Sequence, residues 1–193
     1  GDPAFWGRRS PVLFPIVGSV WEKCFRVDGK VYEMGQHGFA RDMDFELVSC
    51  SETEVWYRLE STEKTLSAYP WPFVLEIGYR LEGNSMTVLW KVTNPGESEM
   101  YFQIGAHPAF NYPDYDPETP DRGVVEFDRN ENLQRSGFKG KGCVDSGARF
   151  PMPLSEDGLL HLKRDTFDDV DTPMLEDDQV HKVAFLKNDR SPY

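Results

Sequence analysis

One stretch decides the fold class: residues 73–93, which read FVLEIGYRLEGNSMTVLWKVT. From Phe73 to Leu81 every second residue is apolar, and the charged residues Glu76 and Arg80 lie between them. The dipeptide Gly83-Asn84 interrupts this pattern, and the alternation resumes from Met86 to Val92. A period of two on either side of a Gly-Asn turn is typical of a β-hairpin whose strands have one buried and one solvated face.

The same alternation recurs along the chain and predicts an all-β protein. Further strands are expected at residues 25–32 (a hairpin around Asp28-Gly29), 45–50, 55–60, 100–104, 124–127 and 183–186. No stretch of about 12 residues carries a helical apolar stripe with caps, so we expect helix only as short turns within residues 153–162 and 172–178. Neither a repeat nor a linker is visible, which predicts a single domain over residues 1–193.

Two segments between the predicted strands show neither the alternation of a strand nor the apolar stripe of a helix. Residues 111–122 contain three prolines among tyrosines and acids, which predicts a long ordered loop of a kind that often serves function. Residues 139–142 read KGKG but lack the Ser or Thr and the strand-to-helix context of a phosphate loop. We therefore expect an ordinary turn there.

Composition excludes several classes of protein. The 193 residues carry 33 Asp and Glu against 21 Lys and Arg, a net charge of −12 that disfavours nucleic acid and anionic membranes as partners. No apolar run approaches the roughly 20 residues that span a bilayer, and Gly1-Asp2-Pro3 does not resemble a signal peptide. We therefore expect a soluble, cytoplasmic protein. The three cysteines are too few and too widely spaced to indicate a disulfide framework or a zinc site.

Two of the four histidines have unusual neighbours. His37 lies in GQHGFAR, residues 35–41, and His107 lies in GAHPAFN, residues 105–111. Small flanking residues leave an imidazole open to a ligand, and its ordinary pKa of about 6.5 suits proton transfer near neutral pH. Each is therefore a candidate for function, with a structural histidine as the alternative. His161 and His181 have charged neighbours and are expected to face solvent.

Four segments together resemble a known family, the aldose 1-epimerases (galactose mutarotases), and most closely its LacX-like branch. They are SPVLFPIVG (residues 10–18), QHGFAR (36–41), YPWPF (69–73) running into YRL (79–81), and GAHPAFN (105–111). They occur in the family's order, and a looser match continues to the end of the chain. The resemblance implies a large antiparallel β-sandwich, the galactose mutarotase-like supersandwich, whose concave face holds a hexose or a related sugar.

The resemblance also implies roles for individual residues. His107 corresponds to the general acid that protonates the ring oxygen of the sugar, and His37 to a residue that helps bind the sugar. Asp171, in VDTP at residues 170–173, corresponds to an aspartate on the sugar hydroxyls, although a solvated acidic surface is an alternative there. Arg9 is the candidate for the family's substrate-binding arginine, because Gly18-Ser19 stands where Gly-Arg is expected.

Two further residues are candidate contacts. Arg41 either binds the sugar or holds a carboxylate beside the site. Phe110 is the candidate for stacking on the apolar face of the sugar, since one or two of the aromatic residues near the motifs are expected there. The other aromatic residues in that group are Trp6, Trp71, Phe102 and Tyr112.

Interconversion of anomers needs an acid at the ring oxygen and a base at the anomeric hydroxyl, and it needs no metal or organic cofactor. The family's base is a glutamate near the C-terminus, for which the sequence shows no counterpart before Tyr193. The family's first pair of strands likewise has no counterpart ahead of Gly1. We therefore expect a chain trimmed at both ends, nearly inactive by itself, and prone to self-association along exposed sheet edges, with a homodimer as one outcome.

Two other functions remain open at this point. One is a catalytically silent carbohydrate-binding protein of the same fold. The other is a glycoside hydrolase, which would need two facing carboxylates, such as Glu76 and Asp171. No cluster of Lys and Arg in the sequence marks a phosphate pocket, so a free sugar is favoured over a sugar phosphate.

Overall fold

The computed structural model describes residues 3–4, 6–110, 118, 122–138, 143–168, 172–188 and 191–192. Contacts within the chain divide it into two compact units, Gly1–Ala109 and Phe110–Tyr193. The single domain expected from the sequence stays a prediction. Asp171, the KGKG turn and most of the loop at residues 111–122 lie outside the described residues.

The first unit consists of short strands, one helix and two 3₁₀ turns. Its strands in chain order are β1 (Val12–Leu13), β2 (Cys24–Val27), β3 (Lys30–Glu33), β4 (Glu46–Cys50), β5 (Glu54–Glu60), β6 (Val74–Glu82), β7 (Ser85–Thr93) and β8 (Gly105–Ala106). The helix is α1 (Glu63–Ala68), and the 3₁₀ turns span Trp21–Lys23 and Ala40–Asp42. β2 pairs with β3, as the Asp28-Gly29 hairpin predicts.

An antiparallel meander in the order β4-β5-β6-β7 forms the main sheet of this unit. The predicted hairpin is confirmed, because Glu82 pairs with Ser85 across the turn that Gly83 and Asn84 form. The apolar set of β6 is buried at its N-terminal end, where Leu75 and Ile77 are 0% and 3% exposed. The opposite face is polar.

On that polar face Glu76 accepts hydrogen bonds from Arg58 at 3.2 Å and from Lys91 at 2.7 Å. These two cations hold the pKa of the Glu76 carboxyl below its usual range, chiefly through the hydrogen bond from Lys91. Burial follows the alternating sequence only in part, because residues 75–78 of β6 are all buried, whereas β4 and most of β7 are exposed.

An aromatic cluster packs against the buried end of the meander. Phe14 is fully buried, and its ring lies 5.0 Å from that of Phe73 and 6.1 Å from that of Tyr69. The Tyr69 hydroxyl donates a hydrogen bond to the Tyr101 carbonyl at 2.8 Å, which satisfies the polar tip of a side chain that is otherwise enclosed. The core thus fixes the segments that carry the first, second and third motifs, since Phe39 and Ala40 pack in the same cluster.

The strand expected at residues 100–104 is wrong, since only Gly105–Ala106 forms a strand there. Gln103 N–H donates to the Pro15 carbonyl at 2.8 Å. Pro15 has no N–H to donate in return, so the ladder cannot extend along this segment. The segment is held by single hydrogen bonds instead.

The second unit has six strands among its described residues. They are β9 (Val124–Phe127), β10 (Gln134–Phe138), β11 (Val144–Pro151), β12 (Leu160–His161), β13 (Val183–Asn188) and β14 (Ser191–Pro192). One sheet has the order β12-β9-β13-β14, and β10 pairs with β11. Leu133, Met152 and Leu160 form the buried cluster of this unit.

The helical turns expected within residues 153–162 and 172–178 are wrong. The first segment forms a reverse turn in which Gly158 N–H donates to the Ser155 carbonyl at 2.9 Å, and β12 follows. In the second segment Asp177 and Asp178 have positive φ, which a right-handed helix does not permit.

None of the helical segments in the described residues has the length and apolar character that crossing a membrane requires. Within the same part of the chain, no group of three or more His, Cys, Asp or Glu side chains is arranged to hold a metal ion.

Candidate functional site

The short strand β1 brings the two candidate histidines together. β1 pairs antiparallel with β8 in the register Val12 to Ala106, and His107 N–H then donates to the Pro11 carbonyl at 3.1 Å. Phe14, just beyond β1, forms a parallel bridge to Gly38 and thereby fixes the loop that carries His37. The ring centroids of His37 and His107 lie 6.3 Å apart with an interplanar angle of 79°. The two histidines, to which the family resemblance assigns roles on one sugar, therefore lie close together.

Gly38 makes the close approach of the His37 loop to β1 possible. The Phe14 carbonyl accepts hydrogen bonds from the N–H groups of Phe39 at 3.1 Å and Ala40 at 3.2 Å. A Cβ on Gly38 would lie 2.2 Å from this carbonyl oxygen, and the φ of Gly38 is +69°. Position 38 therefore requires glycine for two reasons: a side chain would collide with the Phe14 carbonyl, and the backbone has a positive φ.

His37 is locked by two hydrogen bonds to one residue. Its N–H donates to the Gly18 carbonyl at 2.7 Å, and the Gly18 N–H donates to its Nδ1 at 2.9 Å. Because Nδ1 accepts, the proton of the neutral ring sits on Nε2, which is left to donate to a ligand. Burial, the Arg41 guanidinium and His107 all lower the pKa of His37 below its ordinary value of 6.5. At neutral pH His37 is therefore a neutral hydrogen-bond donor.

We expect the imidazole of His37 to titrate below pH 6.5 in an NMR pH titration of the 193-residue chain. Arg41→Gln should raise this pKa, because it removes an unfavourable charge beside the protonated ring, although the larger effect of burial remains.

As the pH falls below 6.5 the unfolded chain takes up the proton first, so the stability of this unit should decrease until the pH passes below the folded-state pKa.

Arg26→Gln, at an exposed position of β2, is the matched control for the loss of one positive charge. A pKa of His37 that moves as far in Arg26→Gln as in Arg41→Gln would contradict a local effect of the Arg41 guanidinium.

Arg41 is mostly enclosed, with a side chain that is 18% exposed. Its Nη2 donates to the Gln36 carbonyl at 2.7 Å, and its Nε lies 3.9 Å from a carboxylate oxygen of Asp42. Arg8 pairs with the other oxygen of the same carboxylate. The charge of Arg41 therefore acts on His37 and lies near a carboxylate without a hydrogen bond to it, and both roles that the sequence leaves open stay predictions.

His107 is exposed, and an indole ring lies against it. The ring centroids of Trp6 and His107 are 4.9 Å apart, with the rings inclined by 35°. The contact restricts the orientation of the imidazole. Trp6 is one of the aromatic residues near the motifs, but its sequence context assigns it no role.

The site thus contains two neighbouring imidazoles. His37 is a neutral hydrogen-bond donor, and His107 is exposed to solvent. The sequence model for aldose 1-epimerase matches residues 4–178, which include every residue of this cluster. This chain belongs to the aldose 1-epimerase family.

Relatives place the chain in the LacX-like branch of the aldose 1-epimerase family. It is 33% identical over 166 residues to the chromosomal protein LacX of Lactococcus lactis subsp. lactis, covering 82% of this chain and 55% of the relative. The plasmid-encoded LacX of the same organism matches to the same extent. The chain therefore spans about half the length of the curated relatives that it matches.

Solved structures of the family show the fold. A galactose mutarotase-like protein from Lactobacillus casei ATCC 334 has a TM-score of 0.83 and 31% identity, over 96% of this chain and 63% of that one. A galactose mutarotase related enzyme from Lactobacillus acidophilus has a TM-score of 0.79 and 33% identity, over 87% of this chain and 55% of that one. The all-β, galactose mutarotase-like sandwich expected from the sequence is confirmed.

The remaining candidate residues of this aldose 1-epimerase family member are Arg9, Phe110 and Asp171. Arg9 has an exposed side chain, and the neighbouring Arg8, rather than Arg9, is joined to Arg41 through Asp42. The Phe110 ring is 85% exposed. Asp171 lies outside the described residues. Sugar contacts by Arg9, Phe110 and Asp171 stay predictions.

Proposed function

We propose that this protein is an aldose 1-epimerase that interconverts the α- and β-anomers of a hexose by general acid–base catalysis. The observation that carries the proposal is the pairing of His37 and His107 at 6.3 Å, with Nε2 of His37 left as a donor. One imidazole can hold a sugar hydroxyl while the other transfers a proton to the ring.

In the proposed reaction His107 donates its proton to the ring oxygen while a base removes the proton of the anomeric hydroxyl. The bond between the anomeric carbon and the ring oxygen then breaks, which leaves an aldehyde and a hydroxyl. The carbonyl rotates about its bond to the next carbon, and the same steps in reverse close the ring on the other face. His37 donates from Nε2 to a sugar hydroxyl throughout and does not change its charge.

The base must come from outside the described cluster. Asp42 follows Arg41 in the chain, and its carboxylate pairs with Arg8 and lies 3.9 Å from the Arg41 guanidinium. Its pKa is lowered, chiefly by the hydrogen bond from Arg8, so it is a poor proton acceptor. We therefore propose as base a glutamate like the one the family resemblance implies, and we expect the 193 residues alone to have little activity.

The glycoside hydrolase alternative needs a free pair of carboxylates. Glu76, one of the two residues that would have revived it, is bound by Arg58 and Lys91 on the polar face of the meander. This contact argues against the hydrolase and leaves the silent carbohydrate-binding protein as the competing function.

NMR exchange spectroscopy on α- and β-glucose and on α- and β-galactose tests the proposal. Added in catalytic amounts, the complete gene product should speed the exchange between the anomers of at least one sugar by orders of magnitude over buffer. The 193-residue chain should add little. Saturable binding of a sugar by the complete gene product, with exchange at the rate in buffer, would establish the silent binding protein instead.

A further inference from the structure

The second unit contains a pocket that the proposed function does not use. Its volume is about 340 Å³, and its lining includes the basic side chains of Arg135, His161 and Lys163. Asp165 is the one acidic residue among the described residues that line it. Three basic groups thus line one concave surface, although the net charge of the chain is −12. Such a surface favours an anionic ligand.

Arg135, on β10, carries a buried donor without a partner. Its Nε is enclosed and makes no hydrogen bond among the described residues. The guanidinium lies over the Phe150 ring of β11, 4.9 Å from the ring centroid, and this contact fixes its plane. Arg135 lines the pocket, so its guanidinium offers one positive charge to an anionic ligand there.

Lys163 supplies a second positive charge that no carboxylate balances. Within the described part of the chain its ammonium forms no ion pair, even though Asp165 also lines the pocket. The turn that presents Lys163 is held in place, because its N–H donates to the Thr166 hydroxyl oxygen at 2.6 Å. The Thr166 hydroxyl in turn donates to the His161 carbonyl at 3.3 Å.

His161 contributes differently. Its Nε2 lies 2.7 Å from a carboxylate oxygen of Asp157, so any charge on this imidazole is already balanced. The hydrogen bond from His161 lowers the pKa of Asp157. Arg135 and Lys163 therefore remain in the lining as two cations without an ion pair among the described residues, against the one carboxylate of Asp165.

We propose that this pocket binds a small molecule that carries a phosphate group. A phosphate monoester has a charge of about −2 at neutral pH and matches two cations, whereas a carboxylate matches only one. The volume is within the range of small-molecule sites, from about 300 Å³ upwards, and exceeds what a bare phosphate needs. Pro151, Pro153 and Leu160 in the lining offer apolar surface to the rest of the ligand.

The sequence does not reveal this site, because Arg135 and Lys163 lie on different strands and turns and form no cluster in the chain. The proposal does not rest on the sugar chemistry of the first unit. All residues that line the pocket belong to the second unit, so each proposal can fail without the other.

Isothermal titration of the 193-residue chain with phenyl phosphate, at fixed ionic strength, tests the proposal. Arg135→Gln should weaken binding by about tenfold or more, since a charge-assisted hydrogen bond is lost. Lys163→Gln should weaken it by about three- to tenfold. Arg164→Gln is the matched control: it removes the same charge from the next residue, which is exposed and does not line the pocket, and it should change the affinity less than twofold.

Circular dichroism on each variant shows whether it folds. If Arg135→Gln does not fold, the affinity of Lys163→Gln for phenyl phosphate still tests the proposal. The Lys163 side chain is exposed, so its loss leaves the core intact. Three results would overturn the proposal: no binding of phenyl phosphate, equal weakening by Arg164→Gln and Lys163→Gln, or binding of benzoate or phenol as tight as that of phenyl phosphate.

Discussion

Gly38→Ala is expected to destabilise the first unit by about 3 to 5 kcal/mol, or to prevent it from folding. The new Cβ would lie 2.2 Å from the Phe14 carbonyl oxygen and 2.7 Å from the Pro15 nitrogen, both of which are backbone atoms. Phe14 cannot move aside easily, because its side chain is fully buried against Phe73. A positive φ of +69° adds a cost of roughly 1 to 2 kcal/mol for any L-residue.

Gly83→Ala separates the two contributions. Gly83 has a φ of +61° in the β6–β7 turn, but a Cβ there would meet nothing within 4 Å. This control should lose only about 1 kcal/mol. All five tryptophans lie in the first unit, so their fluorescence during urea unfolding reports on the stability of that unit. Equal losses in the two variants would mean that β1 and the His37 loop can separate without cost.

His107→Asn should lower the mutarotation rate of the complete gene product by about 10² to 10⁴-fold. Asparagine keeps polar atoms near the position of the imidazole but cannot donate a proton to the ring oxygen as an acid. Because the lost interaction belongs to the transition state, the affinity for the sugar should change little. Polarimetry on α-glucose and α-galactose gives the rate, and a sugar titration gives the affinity.

His37→Asn serves as the contrasting variant. Asparagine tolerates the positive φ of position 37, and its side-chain oxygen can accept from Gly18 N–H, so the loop should keep its structure. The substitution His37→Asn should weaken the binding of the sugar as well as lower the turnover. His181→Asn, an exposed histidine of the second unit, should alter neither. Full activity in His107→Asn would refute its role as the acid.

The positions of β4 to β7 and of the β2–β3 hairpin could be predicted from apolar alternation, although β4 and most of β7 are exposed rather than buried on one face. β10 and β11 could not, because Ser136 is fully buried through hydrogen bonds with Arg149 and Glu176 rather than by apolar character. A buried polar network depends on partners that are distant in sequence, and no local pattern shows it.

The helix α1 shows a second limit of local patterns. It begins at a capping box in which Thr62 and Thr65 exchange hydrogen bonds between side chain and backbone. The usual box has Glu or Gln at the second position. With Thr there, and with only one fully buried residue in the helix, neither a cap signal nor an apolar stripe stands out.

The two histidines were found in the sequence because small residues surround them and because their motifs resemble those of a family. The Arg8–Asp42–Arg41 network was not, since it joins a segment ahead of β1 to a 3₁₀ turn. The contact between Trp6 and His107 depends on the β1–β8 register. Geometry across strands therefore had to come from the structure.

The pairing of β1 with β8 also affects the order in which the strands of the first unit can pair during folding. β6 and β7 are neighbours along the chain and close over a two-residue turn, whereas β1 and β8 lie near opposite ends of the first unit. Closing that long loop costs chain entropy, which the finished meander and its aromatic cluster must offset. On the ribosome His37 and His107 therefore cannot come together in this arrangement until Ala106 and His107 have emerged.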